Sequence, residues 1–375
     1  MSDERSVLER ALLDDPDDRE AWAVYADYLQ QVGDPWGERL GLGLAREQST
    51  GNRHMQLHDA TVEHDRRMAP VLLGARLADL LERPGFAATI VFERRYGLVL
   101  GARIGRTWVV QGNHPEHHVD REHAEQVLDA LLDGPAARLL RSLHLAHCDR
   151  DRALARLLAA STRANLRRLG LGWEVRSNEG RVVELPEFGE LDHLLASLPE
   201  LRELHVGGPA GRLDHDRIER LSLVLHPTSL ELFDSLERAR LPRLRRLELG
   251  VCSRGRNSAA ARRLVRLLED LPRRPSLAGL DALGLEGWGL TDTPGEPLLT
   301  SLLRVLPGTS LRRLALTHTE LGMAGGQLLL DHAESLGNLE RIELSRVGMG
   351  GLMVAELRRR LAGIVVFHED ADEAV

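Results

Sequence analysis

The chain has 375 residues with 49 basic and 57 acidic side chains, and its formal net charge at pH 7 is −8. This charge argues against a protein that holds nucleic acid by general electrostatic attraction. No apolar run reaches the roughly 18 residues of a membrane span, and the first residues lack the basic and apolar regions of a secretory signal. We therefore expect a cytoplasmic protein with a large buried core and no membrane partner.

The first 85 residues are predicted to form a small helical domain. Apolar side chains at helical spacing predict helices over Ser6–Leu13, Arg19–Val32 and Trp36–Glu47. A loop follows, and the pattern then predicts a long fourth helix that extends towards Leu81.

Three short segments in this opening resemble a known bacterial module. They are D-D-P-D-D at 14–18, Y-A-D-Y-L at 25–29 and G-D-P-W-G-E at 33–38. They resemble the short helical repeat-companion domain that commonly precedes leucine-rich repeats in bacteria such as myxobacteria and planctomycetes. Trp36 departs from the family pattern, which usually has a basic or polar residue there. The resemblance implies an architecture, because the biochemical role of that family is not well defined.

The sequence changes to strand character over residues 86–112. The apolar runs Ala88–Phe92 and Leu98–Leu100 flank Glu93–Gly97, and Trp108–Val110 follows. We interpret these as strands that begin a sheet and cover its open edge, since an uncapped repeat array exposes its core. The sequence therefore predicts a β-rich N-terminal cap over 86–134.

A histidine-rich stretch, N-H-P-E-H-H-V-D-R-E-H, occupies 113–123 and raises a metal hypothesis. It is not H-E-x-x-H, and no cysteine pair accompanies it. Asp120 has the character of a helix N-cap, which favours a solvated polar loop that opens a helix. We expect no cofactor, and the weak metal candidates are His114, His117, His118 and His123.

One phrase recurs along the rest of the chain. Apolar residues with the spacing L-x-x-L-x-L begin at Leu140, Leu166, Leu201, Leu244, Leu280, Leu311 and Leu339. The phrase beginning at Leu244 ends in Cys252, and the phrase beginning at Leu140 ends in Cys148, so both cysteines of the chain occupy the same position. The pattern L-x-x-L-x-L-x-x-(N/C) resembles that of leucine-rich-repeat proteins. The phrase position predicts that both thiols are buried and unreactive.

The spacing between Leu201 and Leu244 is too long for a single repeat, so a degenerate repeat is predicted inside it. Pro227–Leu230 resembles Gly308–Leu311, which favours a start at Leu230 after a helix over Asp214–Leu225. The alternative start is Ile218, in the phrase I-x-x-L-x-L, which leaves no room for a preceding helix.

Helical segments are predicted between the phrases, over Arg152–Ala160, Leu191–Leu198, Ala259–Leu271, Pro297–Leu306, Gly325–Leu336 and Met353–Leu361. A strand and a full helix in each repeat resemble the ribonuclease-inhibitor-like class. The resemblance implies an α/β fold: a curved solenoid of about eight repeats over 135–367, with parallel strands on the concave face and helices on the convex face. An acidic tail is expected over 368–375.

The residues between the leucines are predicted to point to the concave face, because side chains alternate along a strand. His144, His147 and Glu286 are among them. Such a face has two interpretations: a self-paired charge ladder, or a surface with arginine and tryptophan anchors for a partner protein. The protein-binding candidates are Arg168, Trp173, Glu203, His205, Arg246, Glu248, Arg313, His318, Arg341, Glu343 and Arg346.

Catalytic motifs are missing from the sequence. The chain contains no lysine, so it cannot carry a G-x-x-x-x-G-K-[ST] phosphate loop, and G-x-S-x-G is also absent. We therefore predict a non-enzymatic scaffold or regulator that presents a concave sheet face to another protein. The alternative is a metal-dependent or catalytic N-terminal or histidine-rich module, with the repeats as a substrate reader.

Overall fold

A computed structural model defines most of the chain. It describes residues 2–105, 121–146, 148, 150–160, 164–172, 191–207, 211–225, 231–251, 258–270, 273–274, 277, 279–287, 298–317, 319, 321–345 and 349–368. These residues contain thirteen α-helices and eleven strands, and the strand pairing is mostly parallel. Two compact units can be distinguished, one of residues 1–108 and 115–170 and one of residues 109–114 and 171–375.

Unit 1 begins with five helices: α1 Ser2–Asp14, α2 Arg19–Gln31, α3 Pro35–Glu47, α4 Gly51–Leu72 and α5 Ala75–Glu82. The predicted helical character of this segment is confirmed, but the predicted single helix towards Leu81 is wrong. Gly74, with φ +92°, separates α4 from α5, and a backbone in this left-handed region cannot continue a right-handed helix.

Aspartate side chains set the starts of α2 and α3. Asp18 accepts a hydrogen bond from the backbone N–H of Ala21 at 3.1 Å, and Asp34 accepts one from Trp36 at 3.0 Å. Each bond satisfies one of the amide groups that a helix start leaves unpaired. The turns D-P-D-D and G-D-P therefore act as N-terminal helix signals.

The helices of unit 1 share a core with later parts of the chain. Trp22, Tyr25, Leu29 and Leu40 are buried in one cluster that also includes Leu139. Trp22 donates its indole N–H to the carbonyl oxygen of Pro16 at 2.8 Å, so its one polar group is satisfied. The residues of the predicted helical domain are thus packed against side chains from beyond residue 85.

Two of the three predicted strands are present as β1 Ile90–Arg95 and β2 Leu98–Ile104, which pair antiparallel as a hairpin, and the third, Trp108–Val110, lies outside the described residues. Unit 1 continues with α6 Arg121–Asp133, β3 Ser142–Leu145 and α7 Arg150–Ala159, and β4 Arg168–Leu171 begins in it. Strand β3 pairs parallel with β2. The hairpin thus supplies the antiparallel start from which the parallel strands of the unit continue.

Unit 2 alternates strands and helices. Its elements are α8 Asp192–Ala196, β5 Glu203–Gly207, β6 Arg220–Leu225, α9 Glu231–Arg238, β7 Arg246–Val251, α10 Ser258–Asp270, β8 Ala282–Glu286, α11 Leu298–Val305, β9 Arg313–Thr317, α12 Gly322–Asp331, β10 Arg341–Ser345, α13 Gly351–Arg360 and β11 Val365–His368. The strands pair parallel in chain order. Helix α10 packs on α11, α11 on α12 and α12 on α13. The predicted α/β class is confirmed at this level.

In every described repeat of unit 2, the leucine phrase forms a strand whose apolar side chains are buried. Its apolar residues share a register across the strands, as in Leu221, Leu247, Leu283, Leu314 and Ile342, and all five are buried. Burying a leucine contributes about 1.5–3 kcal/mol relative to leaving it exposed. Such a row fixes the register, because a slip of one residue would turn it towards solvent.

A backbone hydrogen-bond pattern repeats with the phrase. The carbonyl oxygen of Glu219 accepts from the N–H groups of both Arg245 and Arg246, at 2.8 and 3.0 Å. The carbonyl oxygens of Arg202, Arg245, Asp281 and Arg312 each accept two N–H groups from the next repeat in the same way. The recurrence shows that unit 2 is built from structurally equivalent repeats.

The preferred start of the degenerate repeat at Leu230 is wrong, and the alternative at Ile218 is correct. Residues 220–225 form β6, which pairs with β5 and β7, so the helix predicted over Asp214–Leu225 is absent. Ile218 and Leu223 are both fully buried. A start at Ile218 leaves no room for a helix before the strand, and the described part of the connection between β5 and β6 indeed contains none. Leu213 in this connection is buried in the core where the other repeats place a helix.

Candidate binding surface

The strands of unit 2 present a second set of side chains opposite the leucine core. We define the polar strand face as Glu203, His205, Arg220, Ser222, Arg246, Glu248, Ala282, Gly284, Glu286, Arg313, Ala315, Arg341 and Glu343. These residues alternate with the buried apolar residues along each strand, and alternation of side chains places them on the other side of the sheet.

Arginine dominates one row of the polar strand face. Arg220 pairs in register with Arg246, and Arg313 pairs in register with Arg341, with Ala282 between the two pairs. The side chains of the four arginines are 60%, 40%, 53% and 48% exposed, in chain order. The row therefore offers four partly exposed guanidinium groups on neighbouring strands.

Carboxylates on the same face pair with this row. Arg246 donates its Nε to Glu248 Oε1 at 2.7 Å, and Arg341 Nε lies 2.7 Å from Glu343 Oε1, so β7 and β10 repeat one R-x-E arrangement. Arg220 lies 3.3 Å from Glu203. Exposed pairs of this kind stabilise a fold by only about 0–1 kcal/mol. Their main effect is to orient the guanidinium groups.

Small residues lie between the two R-x-E pairs. Ala282 and Gly284 on β8 and Ala315 on β9 carry little or no side chain, and a Cβ on Gly284 would lie 3.1 Å from Glu248 Cγ. Strands lie about 4.8 Å apart, so β7 and β10 are separated by about 14 Å. The face is therefore low at Ala282, Gly284 and Ala315, and the Arg313 side chain on β9 stands beside them between the two pairs.

Charges alternate in sign just before the strands, in the order Arg202, Glu219, Arg245, Asp281, Arg312 and Glu340. Arg202 lies 3.9 Å from Glu219, and Arg312 lies 2.8 Å from Glu340. The last four of these residues line an open cavity of about 610 Å³ at the start of β8, β9 and β10. Opposite charges on neighbouring repeats stabilise the pairing of the strands modestly.

Seven of the predicted binding residues meet on the polar strand face: Glu203, His205, Arg246, Glu248, Arg313, Arg341 and Glu343. Arg168 lies on β4 within unit 1. Trp173, His318 and Arg346 lie outside the described residues.

Arg220 and Ser222 were missed because the repeat was placed at Leu230. The phrase that begins at Ile218 carries the signal, since its intervening positions are these two residues. The small residues Ala282, Gly284 and Ala315 are absent from the predicted binding residues, because that prediction selects charged and aromatic side chains.

Of the four histidines proposed as weak metal candidates, the structure describes His123. His123 lies at the start of α6, and its ring stacks on Phe86 with centroids 3.9 Å apart. His114, His117 and His118 lie outside the described residues, as does His147. Within the described ranges, no group of three or more His, Cys, Asp or Glu side chains is placed to hold a metal ion.

Cys148 is half-buried, whereas the phrase position predicted a buried thiol. Burial nevertheless raises the pKa of its thiol to about 12, with a smaller contribution from Glu125. The thiol therefore stays protonated near neutral pH, and a protonated thiol is a poor nucleophile. Cys252 lies outside the described residues.

No family model and no curated protein matches the chain. A solved structure of a Bacteroides fragilis protein shares 15% identity at a TM-score of 0.48, over 66% of this chain and 72% of that one. A leucine-rich-repeat protein of Leptospira interrogans shares 12% identity at a TM-score of 0.18, over 66% of this chain and 92% of that one. At these values neither similarity identifies a function.

Among the described helices, none is both long and apolar enough to span a lipid bilayer.

Proposed function

We propose that the chain is a non-catalytic leucine-rich-repeat solenoid that binds another protein through the polar strand face, as a scaffold or regulator. The arginine row carries this proposal. Arg220, Arg246, Arg313 and Arg341 are partly exposed on paired strands above a buried leucine core. Arginine is enriched in protein interfaces because its planar group binds carboxylates and stacks on aromatic rings.

Preorganisation supports the same function. The Nε atoms of Arg246 and Arg341 are held by carboxylates two residues further along their own strands. Side chains already fixed in one rotamer lose less entropy when a partner docks. The small residues Ala282, Gly284 and Ala315 leave room for a protruding segment of the partner beside the guanidinium group of Arg313.

The proposal is tested by reversing the charge of arginines on the polar strand face while the buried leucines stay unchanged. We expect the Arg246→Glu/Arg313→Glu/Arg341→Glu variant to lose a protein that the parent retains in affinity purification from the source organism. The retained protein is then purified, and its Kd is measured against both forms. Loss of two hot-spot arginines weakens binding by at least about a hundredfold, at about 2 kcal/mol each.

A matched control changes the same charge elsewhere in unit 2. Arg238→Glu/Arg262→Glu/Arg266→Glu places three reversals at exposed positions of α9 and α10. This variant is expected to keep the partner at the parent Kd. Equal binding by both triple variants would place the interface elsewhere, and equal loss in both would show that net charge rather than the polar strand face governs binding.

A further inference from the structure

A small arginine-lined pocket lies wholly within unit 1. Its volume is about 190 Å³, and four guanidinium groups and two carboxylates line it, from Arg94, Arg95, Arg141, Arg168, Asp17 and Glu93. These side chains come from the α1–α2 loop, from the end of β1 and from the starts of β3 and β4. Four segments distant in sequence therefore converge on one basic site.

The wall formed by β1 is fixed by its surroundings. The register of the hairpin shifts between Glu93 and Arg94, and such a bulge redirects the side chains beside it. The turn that follows is held by Arg39, which donates a hydrogen bond from Nη1 to the carbonyl oxygen of Tyr96 at 3.0 Å. Arg94 and Arg95 therefore occupy defined positions rather than a flexible loop tip.

The cations on this wall have only partial compensation inside the protein. Arg94 lies 4.0 Å from Asp65, and Arg95 lies 3.6 Å from Glu47, both beyond hydrogen-bond distance. Among the described residues, no acceptor hydrogen-bonds the buried Nε of Arg95. The Arg94 side chain is 36% exposed, and its partial burial lowers the pKa of its guanidinium. A buried donor without an acceptor destabilises the folded protein, and a bound oxygen atom would satisfy it.

We propose that this pocket binds a phosphate-sized oxyanion, as a free ion or as the phosphate group of a small molecule. The pocket lining itself carries four guanidinium groups and two carboxylates, and the carboxylates of Asp65 and Glu47 lie outside the lining, 4.0 and 3.6 Å from Arg94 and Arg95. A phosphate group, with a charge of about −1.5 to −2 at pH 7, is attracted to such a cluster of cations. A water occupies about 30 Å³ of liquid, so the pocket has the room of about six waters. Arginine forks match the paired oxygens of phosphate.

The site is independent of the polar strand face, so either proposal can fail without the other. The test is isothermal titration calorimetry of the full chain with inorganic phosphate in 150 mM sodium chloride. We expect saturable binding that weakens at least tenfold in Arg94→Gln/Arg168→Gln. Arg262→Gln, at an exposed arginine of α10, is the matched control and is expected to bind phosphate like the parent.

A second variant tests the site in the opposite direction. Asp17→Asn removes a carboxylate from the rim of the pocket, and removing one like charge at about 6 Å strengthens anion binding about threefold for a well-solvated site. Gain of affinity cannot follow from misfolding. Circular dichroism of every variant confirms that the fold is retained.

Two further ligands identify the source of the anion. Tighter binding of glycerol phosphate than of inorganic phosphate supports an organic phosphate, and the reverse order supports the free ion. Absence of saturable binding to both ligands at 10 mM would overturn the proposal. So would equal weakening in Arg262→Gln, or an unchanged affinity in both Arg94→Gln/Arg168→Gln and Asp17→Asn.

Discussion

Replacing Arg39 with methionine removes one guanidinium group that joins α3, α4 and the β1–β2 turn. Arg39 is 5% exposed. It donates from Nε and Nη2 to the two carboxylate oxygens of Asp65, at 2.5 and 3.1 Å, and from Nη1 to the carbonyl oxygen of Tyr96 at 3.0 Å. Tyr96 adopts φ +48°, which a non-glycine residue keeps only under restraint from its surroundings. We expect the hairpin turn to loosen in Arg39→Met.

The expected loss of stability in Arg39→Met depends on the two groups that the substitution leaves without their partner, the Asp65 carboxylate and the Tyr96 carbonyl oxygen. Removing one partner of a buried ion pair costs about 3–5 kcal/mol, because the other charge remains desolvated. Asp65 is 27% exposed and has Arg94 within 4.0 Å, so its charge is partly compensated. The unpaired carbonyl oxygen of Tyr96 adds about 1–3 kcal/mol. We expect a total loss of about 3 kcal/mol for local opening of unit 1.

Amide hydrogen exchange resolved by peptide measures this local free energy directly. A loss of about 3 kcal/mol raises exchange of residues 90–104 by about a hundredfold. Arg66→Met is the matched control, since Arg66 is 76% exposed and its ion pair within the described part of the chain is with Glu63 on its own helix. We expect its exchange to change less than threefold.

A double-mutant cycle with Asp65→Asn separates the ion pair from general disruption. We expect the double variant to cost less than the sum of the two single variants, by at least about 1 kcal/mol. Additive effects, or exchange in Arg39→Met within threefold of the parent, would refute the role given to Arg39.

Three further predictions concern the register, a glycine and the thiol. Leu223→Asp buries a charge beneath β6 and is expected to lower the melting temperature strongly. Ser222→Asp, one residue away on the polar strand face, is expected to change the melting temperature little. Equal effects of the two substitutions would contradict the register. Gly97→Ala is expected to destabilise unit 1 by about 1–3 kcal/mol in urea unfolding, because φ is +96° and the new Cβ would lie 2.4 Å from Arg39 Cζ. The control Gly33→Ala, with φ +70° and open space around its Cβ, is expected to cost less. Alkylation of Cys148 followed by mass spectrometry is expected to be slow at pH 8 and to accelerate only as pH approaches about 12 or on unfolding, because the thiol is neutral below its pKa.

Local patterns in the sequence determined much of the secondary structure. The phrase L-x-x-L-x-L places apolar side chains at alternate positions of a short strand, and the residues so marked are buried wherever the structure describes them in unit 2. Asp18 and Asp34 precede helices as N-caps because their short side chains reach the nearby backbone. These signals depend on neighbours a few residues away, so a single sequence contains them.

The polar strand face was predictable only in part. Arg246 and Glu248 follow from their phrase, but Arg220 required the correct choice between two starts. Spacing favoured Leu230, since a helix was assumed before every strand. In the connection before β6, Leu213 fills the core position that a helix fills in other repeats. The spacing of leucines in the sequence does not reveal that a single side chain replaces a helix there.

Tertiary structure alone decided the constellations of unit 1. Arg39 meets Asp65 and Tyr96 because α3, α4 and the hairpin pack together, and nothing in the local sequence distinguishes it from other arginines on helices. The pocket of Arg94 and Arg168 joins segments more than seventy residues apart. The sequence determines which face of each element is apolar. Which polar side chains meet depends on how the elements pack, because that packing is fixed by contacts between residues far apart in the chain.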